Sequence, residues 1–337
     1  MSDYIFYPGC AMESNAKAYY DSLMEIAQPL GINLQEIDDW NCCGATEYVG
    51  INLIPAYSLI ARNLALAAKT GQKTVLSSCS ACYLNLAKAD YYMAERPALG
   101  KKVNEALAAG NLQYTPGSLD IRHLLDVLIN DIGLDTLKAK VVRPLKGLRV
   151  APYTGCMVPR PDYNKRWSDP EHPTELIDVL KAIGAEVVDF PGGTTCCGGH
   201  MTQIGPDTAY ELIRRLISSA EKSKADIMVT VCPMCQLNVD AYQGETNSHY
   251  GTDYEMPIVF FSQLVGLALG FPPEKLGFGS EITSTAKALS RIGMDIPEAA
   301  LAEGKQHQQE GLPMPPCMRK TAKTPEYKRP CAEEVKA

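Results

Sequence analysis

The sequence predicts an α/β fold built twice: two tandem duplicated domains, each a parallel sheet flanked by helices, followed by an extended C-terminal tail. Three observations carry that prediction. Ten of the twelve cysteines fall into two copies of one spacing, short β-prone runs alternate with stretches of helical periodicity, and each cysteine group follows such a run. The length of 337 residues suits two domains at roughly 150 residues each.

In the first half, Tyr4-Ile5-Phe6-Tyr7 is a β-prone run ended by Pro8-Gly9, and Cys10 follows it. Residues 16–30 carry apolar side chains at helical spacing, including Tyr19, Leu23, Ile26 and Leu30. Residues 32–37 form a second strand candidate that runs into a turn and then Cys42-Cys43-Gly44; residues 51–68 are helical by pattern. Thr74-Val75-Leu76-Ser77 is a third strand, Cys79 and Cys82 come directly after it, and residues 81–92 are helical. The second half repeats this order, with strands expected at 148–151, 186–190 and 226–231 and cysteines at Cys156, Cys196, Cys197, Cys232 and Cys235. Strands that alternate with helices pair in parallel through right-handed crossovers, so residues far apart in sequence meet at the carboxyl edge of one sheet.

The repeat goes beyond cysteine. Tyr7-Pro8-Gly9-Cys10 parallels Tyr153-Thr154-Gly155-Cys156, and residues 120–125 parallel 259–264 more loosely. The offset between copies is 146 at the first cysteine and 153 or 154 at the others, which places an insertion of about eight residues between Cys156 and Cys196. Residues 166–173 read as the surface loop that holds it. The predicted domains are 1–146 and 147–290, with 291–337 as a C-terminal extension whose composition turns polar and aperiodic from Gly304.

Composition narrows the function. Thirty-two basic against 39 acidic residues give a net charge of −7, which argues against nucleic acid as a partner. No stretch approaches the length of a membrane span, and the first residues have no basic and apolar leader pattern, so a reducing cytoplasmic setting is expected. There, twelve cysteines point to metal binding or thiol chemistry rather than disulfides.

Five cysteines per half exceed the four that a tetrahedral zinc needs. Adjacent cysteines such as Cys42-Cys43 point in different directions and suit a cluster that presents several metal atoms; Gly44 and Gly198 would let backbone pass close to it. Iron–sulfur clusters are therefore favoured, with structural zinc in one or both domains and dithiol or disulfide pairs left open.

The paired pattern with Cys42-Cys43-Gly44 and Cys196-Cys197-Gly198 resembles the CCG domains of the heterodisulfide reductase B subunit, over roughly residues 1–280. The resemblance implies a non-cubane four-iron four-sulfur cluster held by Cys10, Cys42, Cys43, Cys79 and Cys82, and a second held by Cys156, Cys196, Cys197, Cys232 and Cys235. It implies that the two clusters face and split one small disulfide substrate, with electrons from a ferredoxin-like, cluster-bearing small subunit; a flavoprotein is the expected further partner. Similar domains occur in a sulfur-oxidising variant and in fumarate-, succinate- and glycolate-linked enzymes, which leaves lipoyl or sulfane sulfur, a quinone-linked path or a non-catalytic docking role as other readings.

His200, close behind Cys197, is the candidate catalytic proton donor, against a reading as a histidine that only hydrogen-bonds near the cluster. His123 is expected to pack or cap within a helix-like run. Arg160, Lys165 and Arg166 read as a solvated loop or a basic lip for an anionic substrate. Cys317, Cys331 and the basic stretch at 319–323 lie outside the resemblance and acquire no role from it.

Overall fold

The computed structural model describes residues 2–45 and 48–296, so Cys317, Cys331 and the basic stretch lie outside the described residues. Among the described residues, eight strands form two four-stranded, fully parallel sheets. The first contains β1 (Ser2–Phe6), β2 (Ile32–Glu36), β3 (Thr74–Ser77) and β4 (Asp120–His123) in the order β2-β1-β3-β4. The second contains β5 (Arg149–Tyr153), β6 (Glu186–Val187), β7 (Ile227–Thr230) and β8 (Ile258–Phe260) in the same order, β6-β5-β7-β8. Identical strand order in two copies is the three-dimensional counterpart of the repeated cysteine spacing.

The central strands read as near-continuous apolar runs because helices cover both faces of each sheet. Ile5, Phe6, Val75, Leu76, Val150, Ala151, Met228 and Val229 are all fully buried. Helices Lys17–Ala27, Leu53–Lys69 and Ser80–Glu95 occupy the positions that apolar periodicity assigns them.

Two elements depart from expectation. The fourth strand of each sheet was not among the six that the sequence marks, because β4 and β8 are short and pass into a helix without a turn residue between. Residues 120–125 in particular split: Asp120–His123 is strand, and His123 caps the helix Leu124–Val127, its Nδ1 accepting from the Leu125 amide at 3.1 Å. The insertion is the second departure. It straps the second half onto the first: Asn164 donates to the Ile121 carbonyl at 2.9 Å, Arg166 pairs with Asp120, and Tyr163 packs on Tyr91 and Tyr92. Trp167, only 6% exposed, sets its ring edge-on to those of Tyr83 and His123. Asn164 thereby caps an otherwise open edge strand, a position that proteins generally protect.

The larger of two apolar cores runs through both halves, and the smaller lies within the second half. Tyr19 stacks on Phe260 at 4.3 Å, the buried hydroxyls of Ser22 and Ser262 share a hydrogen bond of 2.6 Å, and a Cβ on Gly277 would meet Ala18 at 2.6 Å. Among the described residues no helix is long and apolar enough to cross a membrane.

Candidate functional site

Each cysteine group lies just beyond the carboxyl end of a strand: Cys10 after β1, Cys42 and Cys43 after β2, Cys79 after β3, and their counterparts after β5, β6 and β7. Cys79 and Cys232 are the residues from which the helices Ser80–Glu95 and Pro233–Ala241 start, and Cys82 and Cys235 sit in the first turn of those helices. At Cys232 the backbone amides of Met234 and Cys235 at the helix start favour negative charge on the sulfur.

The five sulfurs of each half gather into one string of interacting thiols. In the first, Cys10 lies 3.6 Å from Cys42 and Cys43 lies 3.5 Å from Cys82, while Cys42 interacts with Cys43 and Cys82 with Cys79. In the second, Cys156, Cys196, Cys197, Cys235 and Cys232 influence one another in the same order. Among the described residues no three or more His, Cys, Asp or Glu side chains are arranged to hold a single metal ion. A string, unlike a tetrahedron, offers ligands to several metal atoms. Cys10 and Cys196 are exposed, Cys42 and Cys156 partly so, and the other six are buried.

Charge within each string is uneven. The bond from Cys10 holds the Cys42 thiol down at about 2, with the bond from Cys43 adding to it, while the same Cys10–Cys42 contact pushes Cys10 far up. Cys156 does the same to Cys196, also held at about 2. Cys43 and Cys197 are each pushed up to about 12, first by the preceding cysteine. Cys232 is also lowered, to about 7, first by the bond with Cys235, while Cys10, Cys43, Cys82, Cys156, Cys197 and Cys235 are raised, because their cysteine neighbours and burial oppose further negative charge. Several metal cations would release the protons of these raised thiols, as thiolate-bound metals do. The all-sulfur donor set therefore fits an iron–sulfur cluster.

Backbone and side chains preset the strings. The amides of Gly44 and Gly198 donate to the sulfurs of Cys42 and Cys196 at 3.4 and 3.3 Å, and the Gly199 amide donates to Cys197 at 3.3 Å. What a side chain would meet differs between the glycines of the two Cys-Cys-Gly runs and those that precede Cys10 and Cys156. A Cβ on Gly44 would strike the Tyr48 ring and one on Gly198 the backbone of Ala209, whereas a Cβ on Gly9 or Gly155 would meet the sulfur of Cys82 or Cys235.

One further pair of residues escaped the sequence reading, and another was seen only as part of the repeat. Asn85 donates to the Cys43 and Ala45 carbonyls, and its counterpart Asn238 donates to the Cys197 carbonyl. The buried hydroxyls of Tyr7 and Tyr153 donate to the carbonyls of Asn41 and Thr195, the residues before each cysteine pair. The signal was available: both halves read Cys-x-x-Cys-x-Leu-Asn, at Asn85 and Asn238.

His200 stands half-buried at the start of the short helix Met201–Ile204, three residues beyond Cys197. Arg160 and Arg166 are engaged within the fold, Arg160 with Glu171 and the Thr194 carbonyl, Arg166 with Asp120. A pocket of about 680 Å³ opens beside Cys10 and Cys42 and is bordered by Glu13, Asp38, Asp39 and Trp40. A larger cavity, about 1550 Å³, lies by Asp226, Asp240 and Tyr254 and touches none of the ten cysteines.

The family model described as CCG, cysteine-rich domain, matches residues 4–87 and 150–240. The chain is 36% identical over 285 residues to the 8-methylmenaquinol:fumarate reductase membrane anchor subunit of Wolinella succinogenes, covering 85% of this chain and 98% of that one. It is 28% identical over 295 residues to the B subunit of the ferredoxin:CoB-CoM heterodisulfide reductase of Methanosarcina mazei, covering 87% and 97%. It is 29% identical over 297 residues to a protein of Archaeoglobus profundus described as like the heterodisulfide reductase B subunit, covering 87% and 98%. Among solved structures, a hypothetical protein from Helicobacter pylori shares the fold at a TM-score of 0.68 and 14% identity; the match covers 84% of this chain and about half, 52%, of that one.

Proposed function

The chain belongs to the CCG cysteine-rich domain family, and on that premise we propose that it is the disulfide-handling catalytic subunit of a heterodisulfide reductase-like complex. The single observation that carries this reading is the gathering of five cysteines in each half, in the same order along matching strands and helices. Cys10, Cys42, Cys43, Cys79 and Cys82 would hold one non-cubane four-iron four-sulfur cluster, and Cys156, Cys196, Cys197, Cys232 and Cys235 the other. When bound, the clusters supply the two electrons that, with two protons, turn a disulfide into two thiols.

The chain's own part is to hold and shield. The Gly44, Gly198 and Gly199 amides soften the charge on the sulfurs, Asn85 and Asn238 fix the cysteine-pair loops, and burial of six of the ten sulfurs limits water at the metal. His200, three residues beyond Cys197, is the residue we assign as proton donor to a leaving thiolate. Electrons would come from a ferredoxin-like, cluster-bearing small subunit together with a flavoprotein, a division of labour that relatives named as parts of larger reductases support.

A second reading is favoured by the 36% identity to a component of a quinol-linked fumarate reductase: the same two clusters would relay electrons between a quinol and a partner, with no disulfide turned over. Protein purified without air separates the two. Reduced viologen would be consumed by a small disulfide, and a thiol would alter the electron paramagnetic resonance of the oxidised clusters, if the first reading holds. Clusters insensitive to thiol, with no disulfide consumption, overturn it in favour of electron relay.

A further inference from the structure

The two sulfur groups match in order but not in the charge of their entrances. The cavity of about 680 Å³ beside the first group has Cys10, exposed, and Cys42, partly exposed, in its wall. Four carboxylates border it, on the exposed residues Glu13, Glu36, Asp38 and Asp39, and no Lys, Arg or His lines it. Two of the four are engaged: Asp39 pairs with Arg62, and Glu36 accepts from the Trp40 indole N–H at 3.1 Å. Among the described residues Glu13 and Asp38 have no ion-pair partner, so their charge stays at the opening.

The repeat assigns the matching positions of the second entrance. Glu13, three residues after Cys10, corresponds to Pro159, three after Cys156. Glu36, Asp38 and Asp39, counted back from Cys42, correspond to Phe190, Gly192 and Gly193. No carboxylate is retained, and a cation, Arg160, donates to the Thr194 carbonyl two residues before Cys196 at 2.7 Å. The cysteines stand in both copies and the acidic residues in one. The carboxylates therefore answer to what enters the first site, not to what its cysteines hold.

A cleft lined by one sign of charge concentrates ligands of the opposite sign and repels those of its own. The half-buried Trp40 adds an aromatic wall, which favours a cation over an anion. The volume is that of a small-molecule site, which runs from about 300 to 1,000 Å³.

We propose that Glu13 and Asp38 set the substrate class at the first centre: a small thiol or disulfide that carries an ammonium group, with carboxylate-bearing ones turned away. The inference rests on the reading of two disulfide-handling clusters. In that reaction the S–S bond breaks, and two electrons from the partner subunits with two protons turn its halves into two thiols. The ammonium group is unchanged, so the carboxylates act on binding alone.

The test uses the whole chain, purified without air, and three small thiols: cysteamine, 2-mercaptoethanol and 3-mercaptopropionate, which are cationic, neutral and anionic. Electron paramagnetic resonance gives the concentration at which each half-alters the oxidised first cluster, identified as the one lost in Cys79→Ala. At about 0.02 M salt cysteamine should act at about tenfold lower concentration than 3-mercaptopropionate, with the neutral thiol between them. The ratio should approach one at about 0.5 M salt and in the double variant Glu13→Gln with Asp38→Asn. Glu13→Lys with Asp38→Lys should reverse the order. The second cluster should show no preference for the cation. Equal concentrations for the three thiols, an anionic preference, or the same cationic preference at both clusters overturns the proposal and leaves the disulfide reading in place. Clusters that none of the thiols alters overturn that reading and the proposal with it.

Discussion

A Cβ placed on Gly9 would stand 2.7 Å from the sulfur of Cys82, so the chain can pass over this buried thiol only where a side chain is missing. Gly155 has the same relationship to Cys235 at 3.3 Å, and both glycines have a left-handed backbone, at φ +77° and +71°. Gly9→Ala and Gly155→Ala should each lose about 1–2 kcal/mol from backbone strain alone. Gly9→Ala should lose more, because its extra contact is tighter and the sulfur it displaces is fully enclosed. Urea unfolding gives the ranking. Iron content should fall further in Gly9→Ala than in Gly155→Ala, and equal iron in both would show that the sulfurs tolerate displacement.

Asn85 and Asn238 should be needed for stability even before any metal binds. Each is buried and donates to the carbonyl of the second cysteine of its pair. Replacement by Ala leaves a buried carbonyl without its donor and should cost about 1–3 kcal/mol. Replacement by Asp should cost more, because a carboxylate is forced against the same carbonyl. Denaturant midpoints of the four variants would show it; an Asp variant as stable as the Ala variant would mean that water reaches these loops.

The sites were legible because cysteine is rare and its spacing is fixed by the sheet: a strand, a ligand and a helix take a nearly constant length of chain, so the repeat survives in sequence. The strands β4 and β8 were less so, because four residues ending in His123, or three ending in Phe260, merge into helical periodicity and only the extended backbone of the capping residue marks the boundary. The strap of Asn164, Arg166 and Trp167 was hidden for another reason. Polar and proline-rich residues look alike whether they meet water or a neighbouring sheet edge, and only their partners Ile121, Asp120 and Tyr83 reveal which. Gly9 was visible as part of a repeated Gly-Cys step, but its reason, the Cys82 sulfur, is 73 positions away.

Stability should depend on pH through Glu281. Full burial pushes its carboxyl up from 4.5 to about 7, against bonds donated by the Gly279 amide and Gln263, and the nearby buried Asp240, itself raised to about 6, adds to the shift. A carboxyl whose folded value is raised favours the folded state below 4.5, and that contribution is lost as pH rises through 7. The loss amounts to about 3 kcal/mol for Glu281. His123 acts the other way: burial lowers it from 6.5 to about 4, so its contribution is complete above 6.5 and is lost as pH falls through 4. Glu281→Gln should therefore flatten the decline between pH 5 and 7 in chemical unfolding, and an unchanged slope would place the dependence on Asp240 or another group.

Trp167 should couple the two halves. It belongs to the second half by sequence, yet its ring is buried edge-on against Tyr83 and His123 of the first, and His123 in turn holds the carbonyl before Cys79. Removing a buried tryptophan costs about 3–5 kcal/mol where the surroundings cannot close the gap. Because one core spans both halves, wild-type unfolding should be a single transition, and the loss of Trp167 should fall on the interface rather than on either sheet. Trp167→Ala is then expected to broaden or split the thermal transition, while Trp167→Phe, which keeps an aromatic ring in the gap, should retain one transition at a lower midpoint. A single, sharp and merely shifted transition in the Ala variant would show that Tyr19, Phe260 and the Ser22–Ser262 pair hold the halves together without the strap.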